Sequence, residues 1–199
     1  MIHSLAGRVA SFFVARGECS EKNSDIFAYA CEAIISTGIN FFLALAVSVA
    51  FSKPMEGMLF TLLFVLLRRY TGGHHADSHF KCILTFNVIL FFALSFLYVH
   101  TIFDTGDFYT LLIVSISLIG IFILAPICHK NKPLSDEVRA SAKTKGRIFT
   151  VVLWLFCIID TLMFHSDFGF IVSLSALSVF GSLAYAKIDK FLEERRKMT

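Results

Sequence analysis

The feature that most constrains this chain is its series of long apolar runs. Four clear runs lie at 83–103, 108–126, 148–164 and 168–186. Each is close to the length of about 20 residues that an α-helix needs to cross a bilayer. A fifth run at 26–51 is long but contains Glu32, and a sixth at 55–67 is short. These runs predict a membrane protein built from helices.

Composition supports the same class. Hydrophobic residues make up 56% of the 199 residues and charged residues 17%, whereas soluble domains carry about 25% charged residues. The short run at 55–67 spans a bilayer only if it tilts, if the bilayer thins, or if the helix continues into RRYTGG. We predict an all-α polytopic integral membrane protein, one membrane-embedded domain over 1–199 with six transmembrane helices. Five spans plus a re-entrant segment is the alternative.

The charges of the connecting segments predict the orientation. With six spans, one side carries 17 Lys and Arg residues and the other side carries only Lys53. Cytoplasmic loops are enriched in Lys and Arg. Both termini, the break at 68–82 and a basic loop at 127–147 are therefore predicted to be cytoplasmic, in a multi-pass protein of the cell membrane. The cations are assigned to the membrane surface, and no nucleic acid is expected.

Two smaller elements are predicted on the cytoplasmic side. Residues 1–20 fit an amphipathic helix that lies in the membrane interface or packs on the rest of the protein. In the loop, Ser135 followed by two acidic residues predicts a short capped helix after Pro133. The five cysteines are dispersed, which does not indicate a disulfide framework.

The break RRYTGGHHADSHFKC at 68–82 concentrates the reactive side chains. The glycine pair at 72 and 73 permits positive φ and ends a helix. In one interpretation a histidine activates Cys82 as a nucleophile. In a second, a metal is bound by His74, His75, His79 and Cys82. In a third, the histidines are interfacial and Cys82 is a small buried hydrophobe.

Helix geometry limits the nucleophile interpretation. On one straight helix His75 and Cys82 would be separated by about 10.5 Å along the axis, too far for a hydrogen bond. The chain must therefore turn between them. Glu32 and Asp160 are ionisable residues inside apolar runs, which are costly and often functional. Glu32 is expected to orient an imidazole, pair with an arginine of the break, or stay protonated. Helix–helix polar packing is a sufficient explanation for Asp160.

Several elements, in order, resemble the accessory gene regulator B (AgrB) family of membrane peptidases. They are YACE at 29–32; Arg68, Gly72, Gly73, His75, Ala76 and Cys82; and APICHKNKPLS at 125–135. The resemblance covers about 20 to 190, and the spacing of His75 and Cys82 is its most specific part. The family pattern does not need His74 or His79, which favours the nucleophile over the metal.

The resemblance implies a cysteine endopeptidase of quorum sensing that processes a short AgrD-like propeptide into a cyclic autoinducing peptide. Cys82 would be the nucleophile and His75 its general base, with no metal or other cofactor. Glu32, Arg68, Gly72 and Gly73 would support them. The family's propeptides have an acidic tail, which Arg69, Lys130 and Lys132 would attract. A homodimer in contact with membrane lipid is expected, and a transporter or a metal-binding membrane protein is the alternative function.

Overall fold

A computed structural model describes residues 2–18, 20, 23–72, 78–103, 107–126 and 136–198. Within these ranges, all secondary-structure elements longer than one residue are helices. The helices are α1 (Ile2–Ala15), α2 (Ser24–Ala50), α3 (Pro54–Thr71), α4 (His79–Phe103), α5 (Asp107–Leu124), α6 (Asp136–Met163) and α7 (Asp167–Met198). The prediction of an all-helical protein is confirmed.

Five of the described helices are long and apolar enough to cross a membrane: α2, α4, α5, α6 and α7. Helix α3 has 18 residues but contains Glu56, Arg68 and Arg69, and it is not among the five. It begins at Pro54 and continues to Thr71, so it reaches this length by extending into RRYT. The count of six spans stays a prediction, and it depends on α3.

Helix α7 organises the bundle because it packs against α3, α4, α5 and α6. In the apolar span of α7, 56% of the residues are buried, whereas in that of α2 only 17% are buried. Leu67 on α3, Leu94 on α4, Ile121 on α5 and Leu183 on α7 are almost fully buried. Apolar side chains such as those on α2 remain exposed, as expected for surfaces that face lipid.

The first helix packs on the second. Ala6 and Ala10 are buried, α1 contacts α2, and the rings of Phe13 and Phe27 lie 5.1 Å apart. Leu5 and Phe12 stay about half exposed. Helix α1 is therefore packed on the rest of the protein, which was one of the two predicted placements. It still has apolar side chains on its exposed face. It ends at Ala15 rather than at residue 20.

Three connections meet at one end of the bundle, which we call the Lys53 end. Lys53 forms an ion pair and hydrogen bond with Asp167. Thr101 donates a hydrogen bond of 3.3 Å to the same carboxylate. His165 Nδ1 lies 2.6 Å from Asp107 Oδ2. The contacts confirm that the connections after α2, α4 and α6 share one end, as their low content of Lys and Arg predicted. The side of the membrane that this end faces stays a prediction.

The hydrogen bond to Asp167 raises the pKa of Lys53 above its usual value of 10.5, and the nearby charges of Asp167 and Glu56 act in the same direction. Partial burial of the ammonium group opposes these effects. The ordinary explanation of this shift is that an opposite charge favours the charged form of lysine. The ion pair of Lys53 with Asp167 therefore stabilises the contact between the α2–α3 and α6–α7 connections.

Asp160 has a structural role at the Lys53 end. Its Oδ1 accepts a hydrogen bond of 2.6 Å from Ser166 Oγ, and its Oδ2 accepts one of 2.9 Å from the backbone N–H of Gly169. Asp160 therefore provides an acceptor for the N–H of Gly169, which lies in the first turn of α7 and has no acceptor within the helix. Asp160 thus fixes the connection from α6 to α7, in agreement with polar packing between helices.

The structure corrects two predicted boundaries. The predicted loop at 127–147 is helical from Asp136 onward, and the expected short helix is instead the start of α6, continuous to Met163. No proline or glycine stands between Leu134 and Gly146, so nothing ends the helix after its acidic start. The predicted break at 68–82 is also narrower, because Arg68 lies on α3 and Cys82 on α4.

Candidate active site

The chain leaves the helical conformation directly after Thr71. Gly72 has φ 74° and ψ −145°, and its N–H donates a hydrogen bond of 3.0 Å to the carbonyl of Arg68. This positive φ is readily adopted by glycine and disfavoured for other residues. Helix α4 begins at His79. Gly72 and Ser78 are both non-helical, so His75 and Cys82 do not share one continuous helix, and the turn that brings them together stays a prediction.

Four predicted residues of the break and of the loop lie outside the described residues. They are Gly73, His75, Lys130 and Lys132. His74 lies outside them as well. The role of His75 as a general base stays a prediction.

Cys82 lies in the first turn of α4. Its backbone N–H donates to the carbonyl of Ser78 at 3.0 Å, and Ser78 Oγ accepts from the N–H of Lys81 at 3.2 Å. Ser78 is thus the N-cap of α4, a role the sequence analysis did not assign. The side chain of Cys82 is exposed. The N-terminal end of a helix dipole favours negative charge in its first turn, where this sulfur is placed.

Arg68 lies in the last turn of α3 and faces the same region. The Nη1 atom donates a hydrogen bond of 3.3 Å to Ser182 Oγ on α7, and the guanidinium lies 5.7 Å from the centre of the Phe64 ring. Helix α7 and an aromatic ring therefore hold this cation at the end of α3 that precedes the break. Arg69 is exposed on α3.

Glu32 reaches the first turn of α4 from the neighbouring helix α2. Its Oε2 lies 3.3 Å from Nε2 of His79, with 13% of the Glu32 side chain and 38% of the His79 side chain exposed. Deeper in the bundle, Asn87 on α4 donates a hydrogen bond of 2.9 Å to Asn40 on α2. The two helices are therefore joined by polar contacts at two levels. Among the expected roles of Glu32, contact with an imidazole is the one observed, and the partner is His79.

His79 is the residue whose role the sequence analysis missed. The sequence analysis named it as a metal ligand or an interfacial histidine, yet it contacts Glu32 and precedes Cys82 by three residues. Residues three apart on a helix lie on neighbouring positions of its surface. The signals in the sequence were two unexplained polar residues, Glu32 and His79. Their separation of 47 positions does not by itself indicate that they are in contact.

The metal interpretation stays a prediction. Within the described ranges, no group of three or more His, Cys, Asp or Glu residues is placed to hold a metal ion. Two of the four predicted ligands, His74 and His75, lie outside those ranges. His79 and Cys82 are described, and His79 contacts a carboxylate.

Comparison with known proteins decides the family. The family model "Accessory gene regulator B" matches residues 6–184, a range that includes Glu32, Arg68, His75 and Cys82. The chain belongs to the accessory gene regulator B family. Membership implies a part in accessory gene regulator quorum sensing.

Individual relatives agree with this assignment. An AgrB-like protein of Clostridium perfringens strain SM101 is 25% identical over 191 residues, covering 93% of this chain and 89% of the relative. AgrB-like protein 2 of Clostridium perfringens strain 13 is 23% identical, covering 96% and 98%. The accessory gene regulator protein B of Staphylococcus aureus strain Newman is 33% identical over 123 residues, 60% of this chain and 61% of the relative. No solved structure matches the chain.

Proposed function

We propose that this AgrB family member is a membrane cysteine endopeptidase. It removes the C-terminal tail of a short AgrD-like propeptide and closes the remaining peptide into a thiolactone or lactone for quorum sensing. The observation that carries the proposal is the placement of Cys82. Its exposed thiol lies in the first turn of α4, on the helix that follows the break at Gly72.

The first half of the proposed reaction forms a thioester. His75 takes the proton of the Cys82 thiol, and the sulfur attacks the scissile carbonyl. The tetrahedral intermediate collapses with cleavage of the C–N bond, and the tail leaves as an amine that receives the proton from His75. The peptide remains joined to Cys82 as an acyl-enzyme.

The second half closes the ring. A cysteine thiol or serine hydroxyl within the bound peptide attacks the thioester carbonyl, and the sulfur of Cys82 leaves and is reprotonated. When the attacking group is a thiol, one thioester replaces another, so ring closure needs no ATP. Water would compete for the same thioester. Exclusion of water favours an active site against the membrane.

The charged neighbours have separate proposed roles. Arg68 stabilises negative charge on the sulfur or on the tetrahedral oxygen, and Ser182 on α7 holds the guanidinium in place. Glu32 and His79 hold the first turn of α4 against α2 and so position Cys82. Arg69, Lys130 and Lys132 attract the acidic tail of the propeptide. We propose the same cytoplasmic orientation in the cell membrane as the loop charges predict, and a homodimer.

Substitution of the nucleophile tests the proposal. In proteoliposomes with a candidate propeptide, Cys82→Ser is expected to slow tail removal by about three orders of magnitude or more. Cys31→Ser is the matched control, because Cys31 is also a free and partly accessible cysteine, and it should leave the rate unchanged. Full cleavage by Cys82→Ser would refute the peptidase. Bound metal that disappears with His75→Ala and Cys82→Ser would support the alternative instead.

A further inference from the structure

A second polar feature lies away from Cys82, between the ends of α3, α5 and α6. A cleft there is lined by Tyr70, Phe122, Lys143, Gly146, Arg147 and Thr150, among others; we call it the α5–α6 cleft. Lys143 and Arg147 are four residues apart, so they lie on the same face of α6. Phe122 lies in the last turn of α5. The cleft is at the end of the bundle opposite to Lys53.

Arg147 is oriented but incompletely bonded. Its guanidinium carbon lies 4.3 Å from the centre of the Phe122 ring, which holds the side chain against α5. Its Nε atom is buried and has no hydrogen-bond partner within the described part of the chain. A buried donor without a partner is costly, and such groups in native proteins usually bond a water, an ion or a ligand. The geometry thus presents a donor without an acceptor.

The charges of the cleft have no described counterion. Within the described residues, the ion pairs involve Lys53, His79 and His165, and none involves Lys143 or Arg147. Two cations on one helix face repel each other unless an anion lies between them. An anionic group in the cleft would therefore satisfy both the charge of the pair and the free N–H of Arg147.

The surroundings of the cleft are apolar and exposed. Phe122 is 41% exposed and Ile123 is 71% exposed on α5, and Ile148 and Val151 on α6 are about half exposed. A ligand that places an anion between the cations therefore meets apolar surface directly beside it. A free anion gains nothing from that surface, whereas a molecule with one anionic end and long apolar chains gains from both.

We propose that the α5–α6 cleft binds the phosphate of an anionic phospholipid. Arg147 and Lys143 contact the phosphate oxygens, and the acyl chains lie along the exposed residues of α5 and α6. Basic clefts between transmembrane helices recur as binding sites for anionic headgroups. Lys145 is the internal comparison, because it lies on the same stretch of α6 with the same charge but does not line the cleft.

Native mass spectrometry of the purified protein in detergent tests this site. The protein is titrated with phosphatidylglycerol and, separately, with phosphatidylcholine of the same acyl chains. Lys143→Gln and Arg147→Gln are each expected to weaken the first phosphatidylglycerol by about fivefold, since one cation near a headgroup contributes about that factor. Lys145→Gln and all binding of phosphatidylcholine should be nearly unchanged. An equal loss with Lys145→Gln would mean general surface attraction and would overturn the proposal.

Two further measurements separate a headgroup from a free anion and a lost site from a lost fold. Inorganic phosphate at the concentration of the lipid should not displace phosphatidylglycerol, and displacement would assign the cleft to free phosphate and refute the lipid site. Arg147→Lys keeps the charge but removes the buried Nε–H, so it serves if Arg147→Gln does not yield folded protein. It is expected to weaken phosphatidylglycerol measurably, and unchanged binding would refute the role assigned to Nε.

Discussion

The contact between Glu32 and His79 gives the most specific prediction about the site. The two atoms are 3.3 Å apart. For the protonated form of His79, the attraction at this distance and an effective dielectric constant of 20 is about 5 kcal/mol. His79 is 38% exposed, so solvent screens the pair. The net contribution expected is therefore about 1 kcal/mol, near the upper end for partly exposed ion pairs.

A double-mutant cycle measures this contribution. Glu32→Gln and His79→Gln are made singly and together, and unfolding is followed in mixed micelles with increasing SDS. Trp154 is the only tryptophan, and its Nε1 donates to Ser115 on α5 at 3.1 Å, so its fluorescence reports helix packing. Each single change should lower the free energy of unfolding, with a coupling of about 1 kcal/mol between them.

The same variants connect the contact with catalysis. If the pair positions Cys82, each single change should reduce the rate of propeptide cleavage, and the double change should be no worse than the more harmful single one. The rate of alkylation of Cys82 by a maleimide provides a readout without substrate. A coupling energy near zero, with strictly additive losses, would refute the claim that the two side chains interact as the structure shows.

Two predictions concern packing and the Lys53 end. A Cβ on Gly57 would lie 1.9 Å from Ser48 Oγ and 2.6 Å from Ser48 Cβ. Gly57→Ala should therefore lower the free energy of unfolding by about 1–3 kcal/mol, and by less in a Ser48→Gly background; an equal loss in both backgrounds would contradict this close approach. Lys53→Gln should cost about 1 kcal/mol at neutral pH. Because the pKa of Lys53 is raised above 10.5 by Asp167, its stabilisation is complete below pH 10.5 and disappears as the pH rises through the raised pKa. An unchanged difference between Lys53→Gln and the parent at higher pH would contradict the ion pair.

The sequence predicted the helices well because apolar runs and breakers act locally. The run at 168–186 corresponds to α7, and the Gly72 position ends α3 with the positive φ that the break required. The loop charges placed the connections after α2 and α6 at the same end, as the contact between Lys53 and Asp167 shows. The helix predicted after Pro133 does begin at Asp136, but its short length and the loop up to residue 147 were wrong, because nothing between Asp136 and Lys145 ends a helix.

The contacts between distant segments could not be predicted from the sequence. Glu32 meets His79, Arg68 meets Ser182, and Asp160 bonds the first turn of α7. Each contact depends on which helices are neighbours and how far each is rotated about its axis. Hydropathy alone constrains neither quantity in a membrane bundle, because most faces of the helices are apolar.

The central claim is that Cys82 forms a thioester with the propeptide, and trapping that species tests it most directly. The reconstituted protein is mixed with a propeptide whose internal cysteine or serine is replaced by alanine, so that the ring cannot close and the acyl-enzyme accumulates. The sample is quenched in acid, digested and analysed by mass spectrometry. The account predicts an adduct of the tail-less peptide on the fragment that contains Cys82, released by hydroxylamine, present in Cys31→Ser and absent in Cys82→Ser. Tail removal that proceeds without any adduct on Cys82, or that persists in Cys82→Ser, would contradict it.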